Sequence, residues 1–175
     1  PDPRVAIADA LPHDLITELA RLRWLFVIAR GSSFRFRGPE ADLDHVRRSL
    51  QVRYCLGGEV ELRAGAMTVS VELAHTGDRG VVWSERFQAP VGAVHEIRQE
   101  IVRAVIAALE LHIPLHEAQR AQLRSPGDLD AWGAYHLGLR HMYRFTRADN
   151  QAATGWFERS VALDPGLAPA HAGLS

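Results

Sequence analysis

Between Val52 and Leu73 the chain alternates apolar and polar residues twice around one short turn, and few folds accommodate that pattern. Val52, Tyr54, Leu56, Val60 and Leu62 share one parity, and Arg53, Cys55, Glu59, Glu61 and Arg63 the other. After Ala64-Gly65-Ala66 the alternation resumes, with Met67, Val69, Val71 and Leu73 set against Thr68, Ser70 and Glu72. Successive side chains of a strand point to opposite faces, so the stretch predicts a hairpin with one buried and one wet face. Gly65 supplies the positive φ of a tight connection. Burying a Val, Leu or Met stabilises by roughly 1.5–3 kcal/mol, so flanking helices are expected to cover the apolar face.

The flanking sequence supplies them. Pro12 to Leu22 reads as a helix with Pro12 in its first turn and Leu11, Leu15, Leu19 and Leu22 in one stripe, after a weak lead-in over Pro1 to Ala10. Trp24 to Ala29 is a short unbroken apolar run, which predicts a strand buried on both faces. A loop from Arg30 to Pro39 leads to a second helix, Glu40 to Leu50, and then the hairpin. Gly57-Gly58 interrupts the first strand and suggests a bulge. Val81 to Phe87 predicts a third antiparallel strand carrying Trp83 and Phe87, which Pro90 breaks. Val91 to Leu111 predicts a long helix that Pro114 ends or kinks, with a short continuation over Leu115 to Leu123.

Past Ser125-Pro126-Gly127 the texture becomes helical. Asp128 to Arg144 predicts one helix. Thr146 caps the next, with Asp149 three residues on as in a capping box, and that helix stops at Asp164-Pro165-Gly166. A further helix begins at Ala168. The fold class expected is therefore α+β, a mostly antiparallel sheet with helices packed on it, followed by an all-helical hairpin.

That hairpin resembles a tetratricopeptide repeat, whose period is about 34 residues. Ala153, Phe157 and Pro165 occupy matching places, Ser160 stands where a small residue is usual, and Leu137-Gly138 match the first helix. The interval from Gly138 to Ala153 is about three residues longer than standard, as a terminal capping repeat allows. Ala168 to Leu174 looks like the opening of a second repeat, with His171 in an aromatic's place, so further repeats are expected beyond Ser175 in a longer protein.

The first part resembles the TolB-like amino-terminal domain, which stands next to such repeats in bacterial signalling proteins, joined to winged-helix regulators or adenylate/guanylate cyclase domains. The residues that carry the likeness are Ala8-Asp9-Ala10-Leu11 with Asp14-Leu15-Ile16, Leu25 to Arg30 with Ser32-Ser33-Phe34, Val52 to Leu56 with Gly58, and Trp83 to Phe87. Asp128-Leu129-Asp130-Ala131 leads into the repeat as in relatives. Ala10 departs from the family's Gly, and Gly57 from its common Glu. The family's first strand has no apolar counterpart upstream, so an incomplete sheet is expected, or a strand supplied by Arg4 to Ala8 or by another copy. The resemblance implies a TolB-like domain over residues 1–111, a connecting helix and linker over 112–127, and repeats over 128–175.

Chemistry is sparse. The net charge of −1 gives no electrostatic footprint for nucleic acid or anionic membrane, and all 20 basic residues are Arg. One cysteine, Cys55, excludes an internal disulfide and suits a reducing compartment; in a strand, with no partner at catalytic spacing, it reads as inert packing. His112 and His116 are four apart, but Pro114 lies between them and no carboxylate or thiol cluster joins them. His136 and His141 diverge on a helix, and His13, His45, His75 and His95 are isolated. No metal or cofactor is expected. Ser32-Ser33 lacks the Gly-x-Ser-x-Gly elbow of a hydrolase.

Two groups remain. Trp132, Tyr135, Leu139 and Met142 recur at helical spacing on the first repeat helix. They read first as a stripe packed on the α+β part, and otherwise as the candidate partner-binding face of a repeat. Arg30, Ser32, Ser33 and Arg35 could receive an anion, although a solvated turn is the plainer reading. Together these observations predict a chain that is not an enzyme: a regulatory and protein-interaction module of a bacterial signalling or transcription-regulatory protein. Its expected partner is another protein or an adjacent domain, or a second copy in a homodimer, with no direct nucleic-acid or membrane contact. The alternative is a small-ligand sensor with its site between the α+β domain and the first repeat helix. The expected compartment is the cytoplasm, or the periplasm if a membrane segment precedes Pro1.

Overall fold

The apolar periodicities resolve, in a computed structural model, into a three-stranded sheet and seven α-helices among the described residues, 3–38 and 42–175. Pro1 and Asp2, the Pro39 that closes the expected loop, and Glu40 and Ala41, the expected start of the second helix, lie outside them. The chain divides into two compact units, Pro1–Ala108 and Leu109–Ser175.

In the first unit, α1 (Pro3–Leu19) begins well before the Pro12 expected to open it. Ile7, Leu11, Leu15 and Leu19 repeat every four residues and are all buried. That continuous stripe outweighs the hydrogen bond lost at the internal proline. Arg4 to Ala8 is accordingly helical and adds no strand to the sheet. Trp24 to Ala29 is also not a strand: it runs without regular structure to the short helix α2 (Arg30–Ser33), and Phe26 is 89% exposed. Among the described residues the sheet contains only β1 (Tyr54–Arg63), β2 (Ala66–His75) and β3 (Val81–Pro90), and the run pairs with none of them. The helix before them, α3 (Leu43–Leu50), is capped by the Asp42 carboxylate, which accepts from the Asp44 N–H.

β1 and β2 pair from Tyr54↔His75 to Arg63↔Ala66 across a turn in which both Ala64 and Gly65 have positive φ. That is the backbone a two-residue hairpin connection prefers. The register carries Val60, Val69 and Phe87 into one row and Leu56, Leu73 and Trp83 into another. Met67, Val69, Val71 and Leu73 on the central strand are buried to 3% exposure or less. Gly57-Gly58 is not a bulge, since pairing passes through both residues without a shift. Gly58 instead permits a close approach, for a Cβ there would lie 2.5 Å from the Ser70 carbonyl oxygen. The irregularity falls at Leu73/Ala74 opposite β3. Beside it the Thr76 hydroxyl donates to the carbonyls of Val52 (2.6 Å) and Arg53 (3.1 Å), fastening the turn to the start of β1.

A 3₁₀ turn, Val91–Ala93, leads into α4 (Val94–Gln122). The helix neither ends nor divides at Pro114, and the expected short continuation is its last part. Ile97, Ile101 and Val105 are buried at helical spacing. α4 is tied to α1 by Arg98, whose Nε donates to the Asp14 carboxylate at 3.0 Å while a second guanidinium nitrogen meets the same oxygen. α1 also packs on β1. The fold is thus α+β, an antiparallel sheet accompanied by helices, with a helical carboxy-terminal region.

In the second unit, α5 (Ala131–Met142) and α6 (Arg147–Leu163) pack against each other, and α7 (Ala168–Gly173) packs on both. α5 starts later than expected, because Asp130 caps it by accepting from the Gly133 N–H at 2.8 Å. Thr146 caps α6 as its capping-box spacing predicts, accepting from the Asp149 N–H at 3.0 Å.

Candidate partner-binding face

One side of α5 is spent on the hairpin interior. Gly133, Ala134, His136, Leu137 and Gly138 are buried, and Leu137 joins Ala121, Leu129 and the flank of Trp156 in a small apolar cluster. Phe157 of α6 is 1% exposed and fills the space left by two glycines. A Cβ on Gly138 would stand 2.5 Å from its ring, and one on Gly173 of α7 would stand 2.8 Å away. Ser160, fully buried, donates its hydroxyl to the Ala131 carbonyl at 2.7 Å. Small residues on α5 and α7 therefore let three helices close around one aromatic ring.

The other side of α5 carries Trp132, Tyr135, Leu139 and Met142, all half-buried. The first two are brought together, their ring centroids 5.8 Å apart at a 35° tilt. The ring of the buried His136 lies edge-on to Trp132 at 4.4 Å and to Tyr135 at 5.0 Å, and Tyr135 also meets Phe157 at 6.0 Å. Burial, with the neighbouring Tyr143 phenol adding to it, pushes the Tyr135 phenol above its ordinary range, so it stays a neutral donor and acceptor. The result is a half-buried aromatic stripe braced by His136 and Phe157.

The turn after α5 holds a cluster that sequence spacing alone missed. His141 Nδ1 lies 2.9 Å from Asp149 Oδ1, the Thr146 hydroxyl donates to Asp149 Oδ2 at 2.7 Å, and Arg144 reaches Oδ1 at 3.5 Å. Hydrogen bonds from Thr146 first and His141 second, with the Arg144 charge behind them, hold the Asp149 carboxyl below the usual carboxylate range. Spacing alone pairs His141 with nothing, since it diverges from His136 on the helix. The capping box, which already placed Asp149 at this turn, was the available signal for its true neighbour.

The second expected group is dispersed in its roles. Arg30 lays its guanidinium over the Phe34 ring at 4.5 Å, and the Ser33 hydroxyl contacts the Ala29 and Arg30 carbonyls at 3.4 and 3.3 Å. Ser32 and Arg35 are exposed. The most constrained cation of the loop is Arg37, stacked on Phe34 at 3.6 Å and paired with Asp9 at 2.6 Å. Between α1 and α4 lies an open groove of about 320 Å³ lined by Asp14, Glu18, Arg98, Gln99, Val102 and Arg103. Two of its charges, Asp14 and Arg98, already satisfy each other. Burial first, and the Glu72 charge second, push the Cys55 thiol up, which disfavours the reactive thiolate. Among the described residues no three His, Cys, Asp or Glu side chains converge as a metal site.

No known family model matches the chain. Its sequence is 31% identical, over 168 residues, to a Rhizobium meliloti (strain 1021) protein named "Putative adenylate cyclase 3". The alignment covers 96% of this chain and 29% of that protein, so the chain spans less than a third of its relative's length. This likeness overturns the expectation that the chain is not an enzyme, since nearly all of it aligns with a protein named for an enzymatic activity. The sequence shows no acid/base constellation, and residues that cover under a third of a protein need not include its catalytic group.

Proposed function

We propose that this chain is the regulatory and protein-interaction portion of a longer signalling enzyme of the adenylate cyclase kind. The sheet and its helices form a TolB-like module, and the α5–α6 hairpin is the first tetratricopeptide repeat of an array. The observation that carries the reading is the alignment of almost the whole chain with part of a protein named as an adenylate cyclase. The Phe157 ring closed between Gly138 and Gly173 supports the repeat assignment, since repeats of this type stack by close helix approach. Trp132, Tyr135, Leu139 and Met142 are the residues this reading gives to the partner.

The test uses the protein encoded by the complete reading frame. Purified, it is expected to form cyclic AMP from ATP. Trp132→Ala combined with Tyr135→Ala is expected to change the regulation of that activity or weaken capture of its partner, at least tenfold for an aromatic hot spot. A full-length protein that folds but makes no cyclic AMP would remove the enzymatic part of the proposal. A double variant indistinguishable from the parent in activity, regulation and association would remove the interaction part.

A further inference from the structure

The end of the α5–α6 hairpin carries a local composition that the chain-wide charge conceals. From Arg140 to Arg147 the sequence reads Arg-His-Met-Tyr-Arg-Phe-Thr-Arg. Of its three arginines only Arg144 is seen to reach Asp149, at 3.5 Å, a carboxylate that also meets His141 and Thr146. Tyr143 is 63% exposed and Phe145 83% exposed. Phe145 also adopts φ +53°, a left-handed backbone that favours glycine and that a bulky residue rarely takes. Its ring is thus held outward at a position where neither backbone preference nor burial calls for an aromatic.

We infer that this tip is a peripheral docking site for an anionic phospholipid bilayer. Stable attachment to a bilayer surface needs two signals, apolar insertion and attraction of cations to acidic headgroups, and the tip supplies both within one turn. Phe145 and Tyr143 enter the interface, where amphipathic aromatic rings are favoured, while Arg140, Arg144 and Arg147 stay at headgroup level on their flexible stems. The charge complementarity selects an acidic surface. The aromatic pair projects from the end of a helical hairpin, as insertion into an interface requires. No helix of the described residues is long and apolar enough to cross a membrane. The inference stands apart from the proposed enzymatic role.

The test is sedimentation of the complete chain with vesicles of phosphatidylcholine alone and of phosphatidylcholine with one-third phosphatidylglycerol. Association is expected with the second only, and is expected to fall as salt rises. Arg144→Gln and Arg147→Gln should each weaken it by roughly fivefold. Phe145→Gly should weaken it by roughly tenfold while the melting temperature holds or rises, because glycine relieves the backbone at that position. The proposal is overturned if the variants bind like the parent, or if acidic vesicles are not bound. It is equally overturned if Phe145→Gly lowers the melting temperature, which would make the ring a packing residue. Retention on single-stranded DNA or polyglutamate with the same dependence on the variants, but not on vesicles, would reassign the tip to a nucleic acid or an acidic protein.

Discussion

At the scale of single residues, the second unit depends on what is missing from Gly138. In a solvent-exposed helix Gly→Ala stabilises by roughly 0.5–1 kcal/mol. Gly155 of α6 has nothing near its absent Cβ, and Gly155→Ala is expected to show that gain. Gly138→Ala is expected to lose about 1–3 kcal/mol instead, because the new methyl must displace the Phe157 ring. Urea denaturation of the two variants checks the sign of each. Asp149 offers a second test, of pH dependence. Its folded-state pKa is depressed, so its contribution to stability is complete above the ordinary carboxylate range and is lost as pH falls through the depressed value. The melting temperature of Asp149→Asn should therefore lie below the parent's at neutral pH and converge with it in acid. A gap that persists unchanged in acid would mean that the Asn disrupts the turn for a reason other than charge.

At the scale of elements, local breakers lost to tertiary burial twice. Pro12 and Pro114 both sit inside helices, where each removes a donor and crowds the preceding turn. In α1 the stripe of Ile7, Leu11, Leu15 and Leu19 holds the helix together across its proline, and in α4 buried residues flank Pro114 at Ile113 and Ala118. Pro114→Ala restores a hydrogen bond to the Glu110 carbonyl and is expected to raise stability by about 1–3 kcal/mol in the same denaturation experiment. No gain would show that the half-buried proline ring packs well enough to offset its backbone cost. The opposite case is Trp24 to Ala29, where strong strand propensity found no neighbouring ladder. Propensity is a weak instruction when no backbone partner is present.

At the scale of the whole molecule, net charge and composition said little about role. A chain near neutrality hides a hairpin tip with three arginines around two exposed aromatics. The likeness to a protein named as an adenylate cyclase is not legible in composition for a different reason: it lies in an alignment covering 29% of that protein, not in any acid/base pattern among these residues. The cyclic AMP assay tests the proposed role at this scale.

Periodicity alone determined the elements whose partners are adjacent in the chain: the β1–β2 hairpin, its positive-φ turn, the third strand and the capped α6. Each depends on side-chain alternation, a turn residue or a cap, all of which act within a few residues. Only the tertiary structure decided which breakers would be overridden, which apolar run would go without a ladder, and which glycines admit Phe157. Those outcomes depend on what packs from a distance. Burial energy gathered along a whole face exceeds the local cost of one proline, whereas no local preference can supply a missing strand.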